Sequence, residues 1–178
     1  MTSDRFLEVT RVTDETSAMA ESLKAALQQR QNRVYSREEI GSERSSFRGE
    51  LSRAIRSECA RYSRRVTDSE HCAAIRNISD GLSERFGPIL KDHRLRYGTS
   101  QKAFNLYLKF LWRMGKIETP PHCPVDSIVL NAGGIIGSWT RNDSEQEYIG
   151  WIDALRENAS PLCLSDWEYE IWLRRATG

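Results

Sequence analysis

The chain has 178 residues, a hydrophobic fraction of 39%, a charged fraction of 29% and a net charge of +1, values that fit a soluble globular protein and argue against wholesale disorder. No apolar run approaches the ~18 residues of a membrane span, and the opening MTSDRFLEV lacks a signal-peptide core. The expectation is a cytoplasmic protein with no membrane partner. The four cysteines (Cys59, Cys72, Cys123, Cys163) follow no C-x-x-C spacing, so reduced thiols are expected. The dipeptides His71-Cys72 and His122-Cys123 invite a zinc reading, but adjacent ligands chelate one ion poorly. No metal and no cofactor is expected, and a zinc-stabilised module ranks last among the functional readings.

In chain order, residues 1–12 show no clear element. From Thr13 a helix places Met19, Leu23, Ala26 and Leu27 on one face. Ser36 and Glu39 have capping-box spacing, and beyond Gly41 the residues Phe47, Leu51, Ala54, Ile55, Cys59 and Tyr62 keep a 3.6-residue period. The arginines on the far side of that helix (Arg48, Arg53, Arg56, Arg61, Arg64, Arg65) are diluted by acids and are expected to form a solvated face. Thr67 and Glu70 box the next helix, with Cys72, Ile75, Ile78, Leu82 and Phe86 as its apolar stripe, closed by Gly87-Pro88. A basic connector follows. The most apolar helix spans about Ser100 to Met114 and stops at Gly115. Its aromatic stripe (Phe104, Tyr107, Phe110) is expected in the core, and Lys102, Asn105, Lys109 and Arg113 line the polar face. Pro120, Pro121 and Pro124 hold the next stretch extended and deliver Asp126 as N-cap of a helix from Ser127 to Ala132. Ser144/Glu147 and Ser165/Glu168 have the spacing to box two last helices. No convincing strand is found. The fold class is all-α, a compact helical domain over 1–178, with 1–96 and 97–178 as possible lobes.

Charge is uneven. From Arg85 to Lys116 eight basic residues face one acid, Asp92, whereas the tail beyond Arg141 is acidic. Such asymmetry fits a polyanionic partner, and equally two halves that complement each other. Within the basic stretch, Gly98, Thr99 and Ser100 at a helix start offer a phosphate seat, with Arg94, Arg96, Lys109 and Arg113 as further backbone contacts. Lys102 is a nucleophile if burial lowers its basicity. Asp126, beyond its capping role, can orient a nucleophile or stabilise developing positive charge.

Gly98-Thr99, Lys102 at the start of an apolar helix, and Pro124-Val125-Asp126-Ser127-Ile128-Val129 together resemble the helix-hairpin-helix DNA glycosylase superfamily over residues 97–175. The resemblance implies a glycosylase-like helical core and a hairpin that grips the DNA backbone. It also implies Lys102 attacking C1′ of a flipped nucleotide, with or without strand scission, and Asp126 assisting departure of a modified or damaged base. The family's two-glycine hairpin is here reduced to Gly98 followed by Thr99 and Ser100. The expected partner is duplex DNA with an extruded base, stacked by Tyr97, Trp112, His122 or Trp139. The competing reading is a non-catalytic helical module that binds nucleic acid or a protein.

Overall fold

The computed structural model describes residues 4–30, 32–36 and 41–177. Among them lie eight α-helices: α1 (Arg5–Thr10), α2 (Glu15–Leu27), α3 (Gly41–Cys59), α4 (Asp68–Phe86), α5 (Tyr97–Arg113), α6 (Ser127–Ala132), α7 (Glu145–Ala159) and α8 (Leu164–Thr177). The described residues contain no strand, only an isolated bridge between Tyr35 and Leu90. The fold is all-α, and among the described residues no helix is long and apolar enough to cross a membrane. Of the Ser36–Glu39 box, Glu39 lies outside the described residues, and Ser36 Oγ donates to Pro88 O at 3.3 Å.

Local chemistry explains most boundaries. Thr67 and Glu70 form the capping box that starts α4, each side chain taking the other's backbone N–H. Ser144 caps α7, but Glu147 does not close a box and instead accepts from Asn142 Nδ2 at 2.7 Å. Gly115, at φ 71°, ends the run of α5 in a left-handed conformation. One helix was not legible in the sequence. Asp4 accepts from the N–H groups of Phe6 and Leu7 and starts α1, whose Phe6 is buried against Phe110 and Trp172. The Ser165/Glu168 box is corrected: α8 already begins at Leu164, and both side chains are used elsewhere.

Helix α5 is the axis of the molecule, packing against α1, α2 and α4. It starts at Tyr97, three residues before the expected Ser100. From Tyr97 to Leu111 every residue except Leu106 is buried. Its supposed polar face is therefore not a solvent face, because α8 and the proline segment cover it and bring their own polar groups. The contiguous core draws on residues before and after position 97 alike.

Candidate active site

After α5 the chain turns back along it as the extended segment 119–126, and side chains from three helices hold its carbonyls. Ser165 Oγ donates to Pro120 O (2.9 Å), Arg156 Nη2 to Pro121 O (3.1 Å) and Asn105 Nδ2 to Cys123 O (3.0 Å). Gln101 takes both sides of Val125: Val125 N–H donates to Gln101 Oε1 at 3.2 Å, and Gln101 Nε2 donates to Val125 O at 2.6 Å. Prolines cannot donate to such a lattice, so the carbonyls carry it. The next residue is Asp126, and its position is fixed by these bonds.

Asp126 uses its two oxygens differently. Oδ1 caps α6, accepting from Ile128 N (3.0 Å) and Val129 N (3.1 Å), while Oδ2 accepts from Lys102 Nζ at 2.7 Å. The two side chains are 22% and 10% exposed. Burial pushes the Asp126 carboxyl up, but the Lys102 ammonium and the two N–H groups outweigh it and leave the carboxyl below its usual range. The two residues that the sequence singles out for chemistry thus form one ion pair.

Seven residues further along α5, two turns of the helix, Lys109 makes a second pair. Its Nζ lies 2.9 Å from Glu168 Oε1 and 2.7 Å from Oε2, with the side chains 4% and 9% exposed. The ammonium also sits 4.3 Å from the Phe6 ring centre, with the rings of Tyr169 and Trp172 close by. Burial pulls the Lys109 ammonium below the ordinary lysine value, and Glu168 only partly opposes that. Both carboxylates, Asp126 and Glu168, reach one pocket of about 270 Å³ between α1, α6 and α8. Its other walls include Val9, Ile128, Val129, Ile171 and Trp172, with Arg175 as a further lining residue. An apolar recess with a few convergent polar groups is the form that a small-molecule or base site takes.

Behind the pair lies a polar network. His71 Nε2 donates to Asn105 Oδ1 (2.8 Å), so in the neutral ring Nδ1 accepts from Tyr62 OH (2.6 Å). Asn105 Nδ2 also reaches Gln101 Oε1 and Tyr148 OH. Tyr148 OH meets His122 Nδ1 at 2.9 Å, and His122 Nε2 meets Asp68, which Arg156 holds with two bonds. Burial pulls both histidines below their ordinary value, His71 far below it. Both rings are neutral.

Several expected site residues lie elsewhere. Gly98, Thr99 and Ser100 are buried inside the first turn of α5, and the phosphate seat is closed. Gly98 N–H donates to Asn142 O, Tyr97 N–H to Asp143 Oδ1, and Gln29 Nε2 to Thr99 Oγ1. In place of a tight hairpin, the connection from α4 consists of 3-10 turns at Gly87–Ile89 and Lys91–His93. Lys109 is not on a DNA-facing surface, because Glu168 and three rings enclose it. Arg113 is held by Asp4 and stacks 4.1 Å from the Tyr169 ring centre. Arg94 pairs with Asp80 and Asp143, and Arg96 with Asp92. Tyr97 and His122 are buried in the core and network, so neither is a free stacking surface. Trp112 and Trp139 are half-buried, and the Trp139 carbonyl closes on Gly98. Among the described residues no group of three His, Cys, Asp or Glu side chains stands together as metal ligands would.

The sequence reading missed Glu168, Trp172, Gln101 and Asn105 as contributors. The available signal was Gln101, Lys102, Asn105 and Lys109 on a helix otherwise rich in aromatic and aliphatic residues, since polar groups in a buried helix require partners. Comparison with protein-family models, with characterised protein sequences and with solved structures finds no match to this chain, so the site stands on its own geometry.

Proposed function

We propose that the chain is a DNA N-glycosylase that takes a modified or damaged base into the pocket bearing Asp126 and Glu168. One observation carries the reading: Lys102 Nζ lies 2.7 Å from Asp126 Oδ2, and that carboxylate opens into a small apolar recess. The ion pair keeps an amine and a carboxylate within reach of one sugar carbon. As the N-glycosidic bond breaks, its electron pair leaves with the base, which takes up the proton that Lys102 Nζ gives up, and positive charge develops at C1′. The ionised Asp126 stabilises that charge. Lys102, having lost a proton, forms the new bond at C1′, and opening of the sugar ring leaves an imine. Glu168, which lines the recess beside Trp172 while holding Lys109, gives that wall negative charge.

The competing reading takes the pair as a structural clamp between α5 and α6, and Asp126's simultaneous use as a helix cap favours it. Borohydride decides between them. An oligonucleotide panel with oxidised, alkylated, deaminated and hypermodified bases is incubated with the protein and borohydride. A covalent protein–DNA adduct is expected with one base class and not with Lys102→Gln. Base release that survives Lys102→Gln but not Asp126→Asn identifies hydrolysis by water instead. Absence of any adduct and any released base across the panel leaves the clamp.

A further inference from the structure

Helices α4 and α7 are joined by two ion pairs rather than by close packing. Arg76 donates through Nε and Nη2 to Glu145 at 2.8 and 2.7 Å, at the start of α7. Arg156, in the last turns of α7, donates through Nη1 and Nη2 to Asp68 at 2.6 and 2.7 Å, at the start of α4. The helices therefore run antiparallel, and each pair is a two-bond fork that fixes their separation at its own level. Arginine arms of this length hold the backbones apart. Between the two pairs lies a cavity of about 260 Å³, which shares no lining residue with the recess beside Asp126.

The walls define what fits. Cys72 and Ile152 are buried and Ile149 is half-buried, so the floor is apolar. The buried His122 ring stands beside them, with Nε2 3.2 Å from Asp68 Oδ1. Both guanidinium groups are taken, and Arg156 is further committed to Pro121 O at 3.1 Å. An anion therefore finds no free cation here. Asp153 differs from the other acids of the cavity. It is exposed, its carboxylate has no hydrogen bond or ion pair among the described residues, and it acts on His122 and Arg156 only through space. Since each arginine–carboxylate pair sums to zero, Asp153 leaves the cavity with one negative charge. A lone carboxylate beside an apolar floor suits a cation with an apolar body. A bare metal ion is poorly served, because no three His, Cys, Asp or Glu side chains converge among the described residues. The volume is below that of a drug-sized site and suits a single ring.

We infer that the cavity between α4 and α7 binds a small organic ammonium ion, its ring over Ile149 and Ile152 and its charge against Asp153. The inference goes beyond the glycosylase reading and does not depend on it, since no DNA enters its test. The isotope-labelled full chain is titrated with benzylammonium, benzyl alcohol, phenylacetate and butylammonium while its amide resonances are followed by NMR. Benzylammonium should shift the amides of Ser69, Cys72, Ile149 and Asp153 saturably at millimolar concentration and leave those of Val9 and Ile128 in place. Benzyl alcohol should bind about fivefold more weakly, and phenylacetate more weakly still. Asp153→Asn, at an exposed position, should melt as wild type does and bind benzylammonium only as well as wild type binds the alcohol. Butylammonium, the equivalent of a lysine side chain, should bind more weakly than benzylammonium; the reverse order assigns the cavity to a lysine of a partner protein and overturns the inference. Equal affinity for alcohol and ammonium, or undiminished affinity in Asp153→Asn, overturns it as well. So do shifts confined to Val9 and Ile128, which assign the cation to the recess beside Asp126, and the lack of a saturable shift at any amide. The glycosylase reading survives each of these failures.

Discussion

Two lysines on one helix, each facing a carboxylate from another element, differ in how far they are withdrawn from water. Lys109 and Glu168 are nearly sealed, so removing one partner strands the other charge, a loss of about 3–5 kcal/mol for buried pairs. Lys109→Met and Glu168→Gln should each lower stability by that order, and the double replacement Lys109→Met/Glu168→Leu by clearly less, in urea titrations. Equal costs in single and double variants would show that the pair is not coupled. Asp126 borders an open pocket, where water reaches its carboxylate, while Lys102 behind it is buried. Asp126→Asn retains one oxygen to cap α6 but sets an amide NH2 where Oδ2 accepts from Lys102, so its cost should be about 2–3 kcal/mol. Base excision should nevertheless fall by roughly 10² or more, because an amide carries no charge to balance C1′. A sequence-only view of Lys102 as a solvent-side residue would have predicted a harmless Lys102→Ala. Its burial makes that substitution costly, and so the longer Gln is the better probe.

At the scale of elements, the arrangement depends on how closely the 139–142 turn covers the start of α5. A Cβ at position 98 would sit 1.8 Å from the Trp139 carbonyl oxygen, a contact no side-chain rotation relieves. Gly98→Ala should therefore cost about 3 kcal/mol or more, and calorimetry of that variant is the check; an unchanged melting temperature would show that the turn yields freely. Local signals made much of this level legible. Thr67, Asp126 and Ser144 announced their helices because capping is decided within four residues. Gly115 announced the end of α5 for a similar reason. The failures share one cause, which is competition from distant partners. Ser165 and Glu168 have box spacing, yet Pro120 O and Lys109 take their side chains. Gly98 looks like a hairpin turn, yet its missing side chain makes room for Trp139. The six-residue α1 is too short to show a period and exists because Phe6 and Asp4 are held by α5 and α8. The Lys102–Asp126 pairing was legible as spacing, whereas the pocket beside it was not, since α1 and α8 close it from opposite ends of the chain.

For the whole molecule the buried histidines set an acid limit. Both His71 and His122 are neutral when folded, with values below the ordinary ~6.5 that each regains on unfolding. The unfolded chain therefore binds more protons below that pH, so stability is complete above it and falls as the pH drops, by up to about 1.4 kcal/mol per pH unit for each histidine. Asp68 partly restrains the loss at His122, and Arg156 offsets that restraint. Urea midpoints should decline between pH 6.5 and 5, with a shallower slope in His71→Gln; a flat profile would show that protons reach neither ring differently in the two states. The walls of the pocket are likewise unequal in permanence. Helix α1 has only six residues, well short of the length at which a helix persists unaided, and local opening is cheapest where few contacts hold an element. Amide protons of Arg5–Thr10 should accordingly exchange with deuterium long before those of α5. A compound lodged against Val9 and Trp172 should slow that exchange while leaving α5 unaffected. Mass spectrometry of the deuterated N-terminal peptide then reports occupancy directly, for any bound molecule and without a reaction to follow.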